Sequence, residues 1–151
     1  MMMEPKERAE KTDKRRVLLV EDHPIVRQGL RQIIELEDDL EVCGEEATTH
    51  DAIRAIEALH PDLVLLDLAL RGSSGTDVLK YIQEHWISVR TVVISSNPPE
   101  IWAEEVIRHG ALGYISKDEA VDHVIHAIRS ALSGNIYTPD QKPADSGHWF
   151  G

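Results

Sequence analysis

Four short, continuous apolar runs recur along this chain, and each breaks off at a polar or charged residue. Val17-Leu18-Leu19-Val20 ends at Glu21-Asp22, and Leu63-Val64-Leu65-Leu66 ends at Asp67. Val92-Val93-Ile94 ends at Ser95-Ser96, and residues 112–115 end at Ser116-Lys117. Such lengths, rich in Val, Leu and Ile, suit strands buried on both faces of a parallel sheet. Residues 40–43 alternate more weakly and are expected at a sheet edge. The spacers supply helices. From Pro24, a favourable first-turn residue, Val26, Leu30, Ile33 and Ile34 make one apolar stripe. Ala52, Ile56 and Leu59 make a second, stopped by Pro61, and Val78, Leu79, Ile82 and Trp86 a third. Val121, Val124, Ile125, Ile128 and Leu132 make the last, closed by Gly134-Asn135. Residues 99–109 are the poorest helix, with Ile101, Trp102, Val106 and Ile107 set among charges. Five strand–helix units with short connections predict a doubly wound α/β domain with right-handed crossovers.

Ligands of an open parallel sheet gather outside the carboxyl ends of its strands. There stand Glu21, Asp22, Asp67, Ser95 and Lys117. Three carboxylates held together repel unless something neutralises them, and Mg²⁺, a hard ion that takes oxygen ligands, is the natural agent. Lys117 adds one positive charge but cannot balance three acids. It can instead pair with the outer oxygens of a phosphoryl group, with Ser95 and nearby backbone N–H groups as donors. The chemistry suggested is phosphoryl transfer to a carboxylate, forming an acyl phosphate. Asp67 is the best nucleophile, since it ends the most apolar strand and precedes the loop Gly72-Ser73-Ser74-Gly75.

Charge and cysteine content narrow the classes. The 151 residues carry a formal charge of −11, which opposes non-specific grip on nucleic acid or an anionic membrane. The charge is uneven: residues 1–16 hold six basic groups and four acids, so the remainder is −13. Seven acids (Glu35, Glu37, Asp38, Asp39, Glu41, Glu45, Glu46) fall in one span without a basic residue, read as a solvated helix end and edge strand. One cysteine, Cys43, excludes an internal disulfide and a Cys-based zinc site, and is read as a small strand hydrophobe. No run reaches signal-peptide or transmembrane length, so a soluble cytoplasmic protein without membrane partners is expected.

The chain resembles a two-component response regulator receiver domain of the NarL/FixJ-like (LuxR-type) branch. The resemblance rests on Val17-Leu18-Leu19-Val20-Glu21-Asp22-His23-Pro24, on Asp62-Leu63-Val64-Leu65-Leu66-Asp67-Leu68, on Val92-Val93-Ile94-Ser95-Ser96, and on residues 110–118. The spacing is specific: 45 residues from Asp22 to Asp67, 28 on to Ser95, and 50 from Asp67 to Lys117. The resemblance implies a flavodoxin-like (βα)5 fold with strand order 2-1-3-4-5. It also implies Asp67 as phospho-acceptor, and Mg²⁺ held by Glu21, Asp22, Asp67 and the backbone carbonyl of Ala69. Lys117 would bind phosphate, Ser95 and Tyr114 would form the switch, and Ala69 and Ser96 would contact the phosphoryl group. Ala69 and Asn97 resemble positions that tune self-dephosphorylation. The implied function is a phosphoprotein that takes its phosphoryl group from a histidine kinase or phosphotransfer protein. It would not be an enzyme beyond self-phosphorylation and self-dephosphorylation, and would signal to a second copy or a downstream protein.

The family commonly has Met-Pro where this chain reads Leu70-Arg71, a change expected to loosen the loop and add charge near the site. His23, beside the acidic rim, could take a phosphoryl group or bind metal, but it also belongs to the family's common Asp-His-Pro run, and a catalytic role is disfavoured. His123 and His126 are expected on the flank of the last helix. Trp102 is balanced between partner contact and core packing.

The expected layout is a polar leader over residues 1–16, a receiver over 17–138 and a flexible tail over 139–151. That tail has no amphipathic helix for the helix-turn-helix domain that usually follows. A stand-alone receiver is therefore favoured over the receiver fragment of a DNA-binding regulator. A phosphatase of the haloacid-dehalogenase type needs a second Asp where Ala69 stands. A flavin carrier would have its phosphate repelled by Glu21-Asp22.

Overall fold

A computed structural model describes residues 13–138, which form a five-stranded parallel sheet flanked by five helices. The strands are β1 (Arg15–Val20), β2 (Leu40–Glu46), β3 (Leu63–Asp67), β4 (Arg90–Ser95) and β5 (Gly113–Ser116). The helices are α1 (Pro24–Glu35), α2 (Thr49–Leu59), α3 (Gly75–His85), α4 (Pro99–Arg108) and α5 (Ala120–Leu132). A single 3-10 turn, Lys117–Glu119, joins β5 to α5. The strand order is β2-β1-β3-β4-β5, all neighbours parallel, as the resemblance implied.

Every residue of β3 is buried, because successive side chains enter opposite cores. Leu18, Val20, Val64, Leu66 and Val93 pack on one face with α2, α3 and α4. Val17, Leu19, Leu63, Leu65, Val92 and Ile94 pack on the other with α1 and α5. That two-sided burial is why the central strands read as unbroken apolar runs. At the β2 edge the side chains are only half-covered, and the weaker alternation follows. α4 buries one residue, Val106, in keeping with its sparse apolar pattern.

Two boundaries move. β1 starts at Arg15 rather than after a leader ending at residue 16, because backbone pairing captures both arginines. Arg15 N–H donates to the Asp39 carbonyl at 3.0 Å, and the Arg16 carbonyl accepts from Asp62 N–H at 2.9 Å. β2 runs on to Glu46, past the 40–43 segment, since Gly44 lets Leu18 and Leu59 close over the strand. Residues 1–12 of the expected leader, and the tail over 139–151, lie outside the described residues.

The acidic span does lie at the end of α1 and along the edge strand, yet it is partnered. Arg129 of α5 holds Glu37 at 2.7 Å and Asp39 at 2.8 Å, while Arg27 and Arg31 of α1 each reach Glu45 at 3.2 Å. These contacts hold the Asp39 carboxyl below its ordinary value, chiefly through the Arg129 hydrogen bonds. Among the described residues, no helix is long and apolar enough to cross a membrane.

Candidate functional site

The parallel sheet brings the ends of β1, β3, β4 and β5 to one rim. Glu21 and Asp22 follow β1, Asp67 and Ser95 close β3 and β4, and Lys117 follows β5. Glu21 is 2% exposed and Asp67 1%. The Lys117 ammonium donates to Asp67 Oδ2 at 2.9 Å and lies 3.2 Å from Glu21 Oε1. Asp67 Oδ1 accepts from Ala69 N–H at 3.0 Å. Burial pushes the Asp67 carboxyl above the usual carboxylate range, and Lys117 and the Ala69 N–H offset this only in part. Burial works to lower the Lys117 ammonium, but the Asp67 and Glu21 carboxylates outweigh it and raise its pKa.

Two buried carboxylate oxygens, Glu21 Oε1 and Asp22 Oδ1, accept no hydrogen bond. Desolvated carboxylate oxygens that accept no hydrogen bond are costly, and a divalent cation among them would lower that cost. Ligand atoms from Glu21, Asp22, His23 and Asp67 all lie within 4.8 Å of one another. A hard divalent ion therefore fits the oxygen donors of Glu21, Asp22 and Asp67.

The loop after Asp67 is tied down rather than loosened by the loss of proline. Arg71 N–H, which proline would lack, donates to Asp22 Oδ2 at 2.6 Å, and the Arg71 guanidinium Nε stands 3.9 Å from the same oxygen. Leu70 is buried and joins the core beside Leu68. Gly75 N–H donates to the Leu68 carbonyl at 2.9 Å, and α3 begins so close to β3 that an added Cβ would meet Leu68 Cα at 2.7 Å. Beneath the acidic pair, Arg27 donates to the Glu21 carbonyl at 2.8 Å. Sequence reasoning missed Arg27; its signal was a charge in the first turn of an otherwise apolar stripe.

The switch candidates are also assembled. Ser95 is buried, and its Oγ accepts from Asn97 N–H at 2.9 Å. Tyr114 is fully buried, with its hydroxyl donating to the Asn97 carbonyl at 2.8 Å, and burial raises its pKa. Ser96 and Ala69 are exposed at the rim. Burial likewise raises the Cys43 thiol, as befits a strand hydrophobe.

His126 is on the exposed flank of α5, but His123 is not: it is buried, with Nδ1 2.8 Å from the Tyr137 hydroxyl. The segment after α5 turns back and pairs with β5 at Gly113↔Tyr137, covering that side of the helix. His23 stands at the acidic rim, where its place beside Glu21-Asp22 puts it. Its Nδ1 lies 2.8 Å from Glu21 Oε2, 3.2 Å from Asp22 Oδ1 and 3.2 Å from Lys117 Nζ. Trp102 is at the surface, 36% exposed, in a groove between α3 and α4 with Leu79 and Val106.

Residues 17–129 match the family model described as the response regulator receiver domain. The chain is 35% identical over 120 residues to the nitrate/nitrite response regulator protein NarL of Escherichia coli K12, a match covering 80% of this chain and 56% of that protein. It is 36% identical over 122 residues to the uncharacterized transcriptional regulatory protein YxjL of Bacillus subtilis 168, covering 81% and 56%. The chain thus spans little more than half the length of these relatives. Among solved structures it is similar to a LuxR-family two-component response regulator from Aurantimonas sp. SI85-9A1, with TM-score 0.79 and 31% identity over 84% of this chain and 91% of that one. It is also similar to the receiver domain of the putative response regulator NarL from Mycobacterium tuberculosis, with TM-score 0.75 and 27% identity over 82% and 99%.

Proposed function

The chain belongs to the response regulator receiver domain family, and on that premise we propose that Asp67 is its phospho-acceptor. The observation that carries this reading is the buried Asp67 carboxylate, aimed at the rim with Lys117 Nζ at 2.9 Å. A carboxylate oxygen of Asp67 attacks the phosphorus of a phosphohistidine on a sensor kinase or phosphotransfer protein. The P–N bond breaks, and the leaving imidazole takes up a proton from solvent. Lys117 shifts from the carboxylate pair towards the phosphoryl oxygens, and Ser95 and the N–H groups beside Ala69 and Ser96 donate to them. Glu21, Asp22, Asp67 and the carbonyl of Ala69 are the residues to hold Mg²⁺, which when bound would draw off negative charge from the transferring group.

Once phosphorylated, the Ser95 hydroxyl is drawn inward and the buried Tyr114 is held against the Asn97 carbonyl. The face formed by α4, β5 and α5 is then read by a second copy or a downstream protein. In this reading the chain is cytoplasmic, and its own chemistry is limited to gaining and losing the phosphoryl group. A second reading, the receiver segment of a DNA-binding regulator, is favoured by its relatives, which are nearly twice as long as the matched segment.

Incubation with a small phosphodonor and Mg²⁺, followed by intact mass, tests the assignment. One phosphoryl increment is expected in the native chain and none in Asp67→Ala. An increment that survives Asp67→Ala overturns it.

A further inference from the structure

His23 is the residue of the rim whose surroundings the phosphoryl-transfer reading leaves unexplained. Its ring is about half exposed, but its Nδ1 faces inward, 2.8 Å from Glu21 Oε2 and 3.2 Å from Asp22 Oδ1. The His23 N–H also donates to Glu21 Oε2 at 3.0 Å, which fixes the residue against the carboxylates. The same Nδ1 lies 3.2 Å from the Lys117 ammonium. One ring nitrogen cannot donate to a carboxylate and accept from an ammonium at once. A cation shared by the nitrogen and the carboxylate oxygens would occupy the Nδ1 lone pair and leave the ammonium to its carboxylate partners Asp67 and Glu21. It would also satisfy Glu21 Oε1 and Asp22 Oδ1, which are buried and accept no hydrogen bond.

The geometry agrees. Adjacent ligands at about 2.1 Å from one octahedral ion stand about 3 Å apart. The 2.8 and 3.2 Å separations of His23 Nδ1 from the two oxygens bracket that spacing. Carboxylates alone suit Mg²⁺, Ca²⁺ and Mn²⁺, whereas an imidazole nitrogen raises affinity for ions such as Ni²⁺ and Zn²⁺.

We propose that His23 is a nitrogen ligand of the acidic cluster, so that this site takes borderline transition ions in competition with Mg²⁺. The proposal rests on the reading of Glu21, Asp22 and Asp67 as a cation site. It adds a metal preference that three carboxylates would not give.

Calorimetric titration of the full chain with NiCl2 and with MgCl2 tests it, in the native protein, His23→Gln and Asp22→Asn. The Asp22→Asn variant identifies which heat belongs to this site, apart from other surface histidines. The expected result is that His23→Gln lowers the ratio of Ni²⁺ to Mg²⁺ affinity at this site at least about tenfold. An unchanged ratio, with Mg²⁺ binding still lost in Asp22→Asn, overturns the role of His23 and leaves the cation site standing. Heats of both ions that are indifferent to Asp22→Asn overturn the cation site itself.

Discussion

The Lys117 ammonium lies 2.9 Å from Asp67 Oδ2 and 3.2 Å from Glu21 Oε1, so one cation spans two carboxylates that are nearly out of solvent. Removing the cation strands both acids in a low-dielectric rim. Lys117→Met is therefore expected to lose about 3 kcal/mol of stability without divalent ions, the usual scale for breaking a buried pair. Added Mg²⁺ should return part of that loss, because it binds only the folded arrangement. Urea denaturation with and without Mg²⁺ measures both effects. A variant as stable as the native chain would mean that the contact does not hold these charges together.

Asp67 carries the complementary pH prediction. Its pKa is raised, chiefly by burial, so the folded state holds the proton more tightly than the unfolded chain does. Such a group costs stability as pH rises from the ordinary carboxylate range through the raised value, and costs nothing below it. In metal-free buffer, Asp67→Asn should thus be more stable than the native chain at neutral pH, by about 1 kcal/mol. The gap should shrink in acid. Thermal melts at pH 4 and pH 7 compare the two, and a gap that widens in acid would contradict the sign.

Gly75 is required by backbone proximity. A Cβ there would meet Leu68 Cα at 2.7 Å, directly beside the acceptor. Gly75→Ala must push α3 away from β3 or shift the 67–75 loop, at a cost of about 1–3 kcal/mol. Phosphoryl capture by Asp67 should slow with it. Gly29, whose added Cβ would meet nothing within 4 Å, is the control position for the same substitution.

The segment after α5 is coupled to the switch strand. Tyr114 N–H donates to the Tyr137 carbonyl at 3.0 Å, Tyr137 N–H donates to the Leu112 carbonyl at 2.9 Å, and the Tyr137 hydroxyl meets His123. Tyr137→Ala removes a buried ring and should cost about 3 kcal/mol. The Tyr114 amide should exchange faster in that variant, while the β1–β3 amides keep their protection relative to it. Hydrogen exchange at single-residue resolution reads this, and a Tyr114 amide no faster than the β3 amides would detach the strap from the strand.

Much of the site was legible because each strand announces its own end. Residues 17–20 and 63–66 are apolar without interruption since both faces are covered, so the first charge after each marks the rim. The same logic placed Ser95 and Lys117. Arg15 and Arg16 begin β1 although their charged side chains lie outside the apolar run, because strand membership there rests on backbone pairing that side-chain type does not record. His123 was misplaced because the surface that buries it comes from Tyr137, in a segment without apolar periodicity of its own.

By itself, then, the sequence determined the alternation of elements, the two-sided core and the set of groups at the rim, because periodicity records burial and burial is local in the chain. Only the tertiary structure decided how the rim's charges are shared. Lys117 falls on Asp67 and Glu21, the Arg71 N–H on Asp22, and the His23 nitrogen between two carboxylates. The Lys117 and Arg71 contacts join residues dozens of positions apart, and their ångström-scale distances depend on strand register and loop path. His23 adjoins the acids in sequence, but where its ring points depends on how the rim closes around it. No residue pattern encodes these directly.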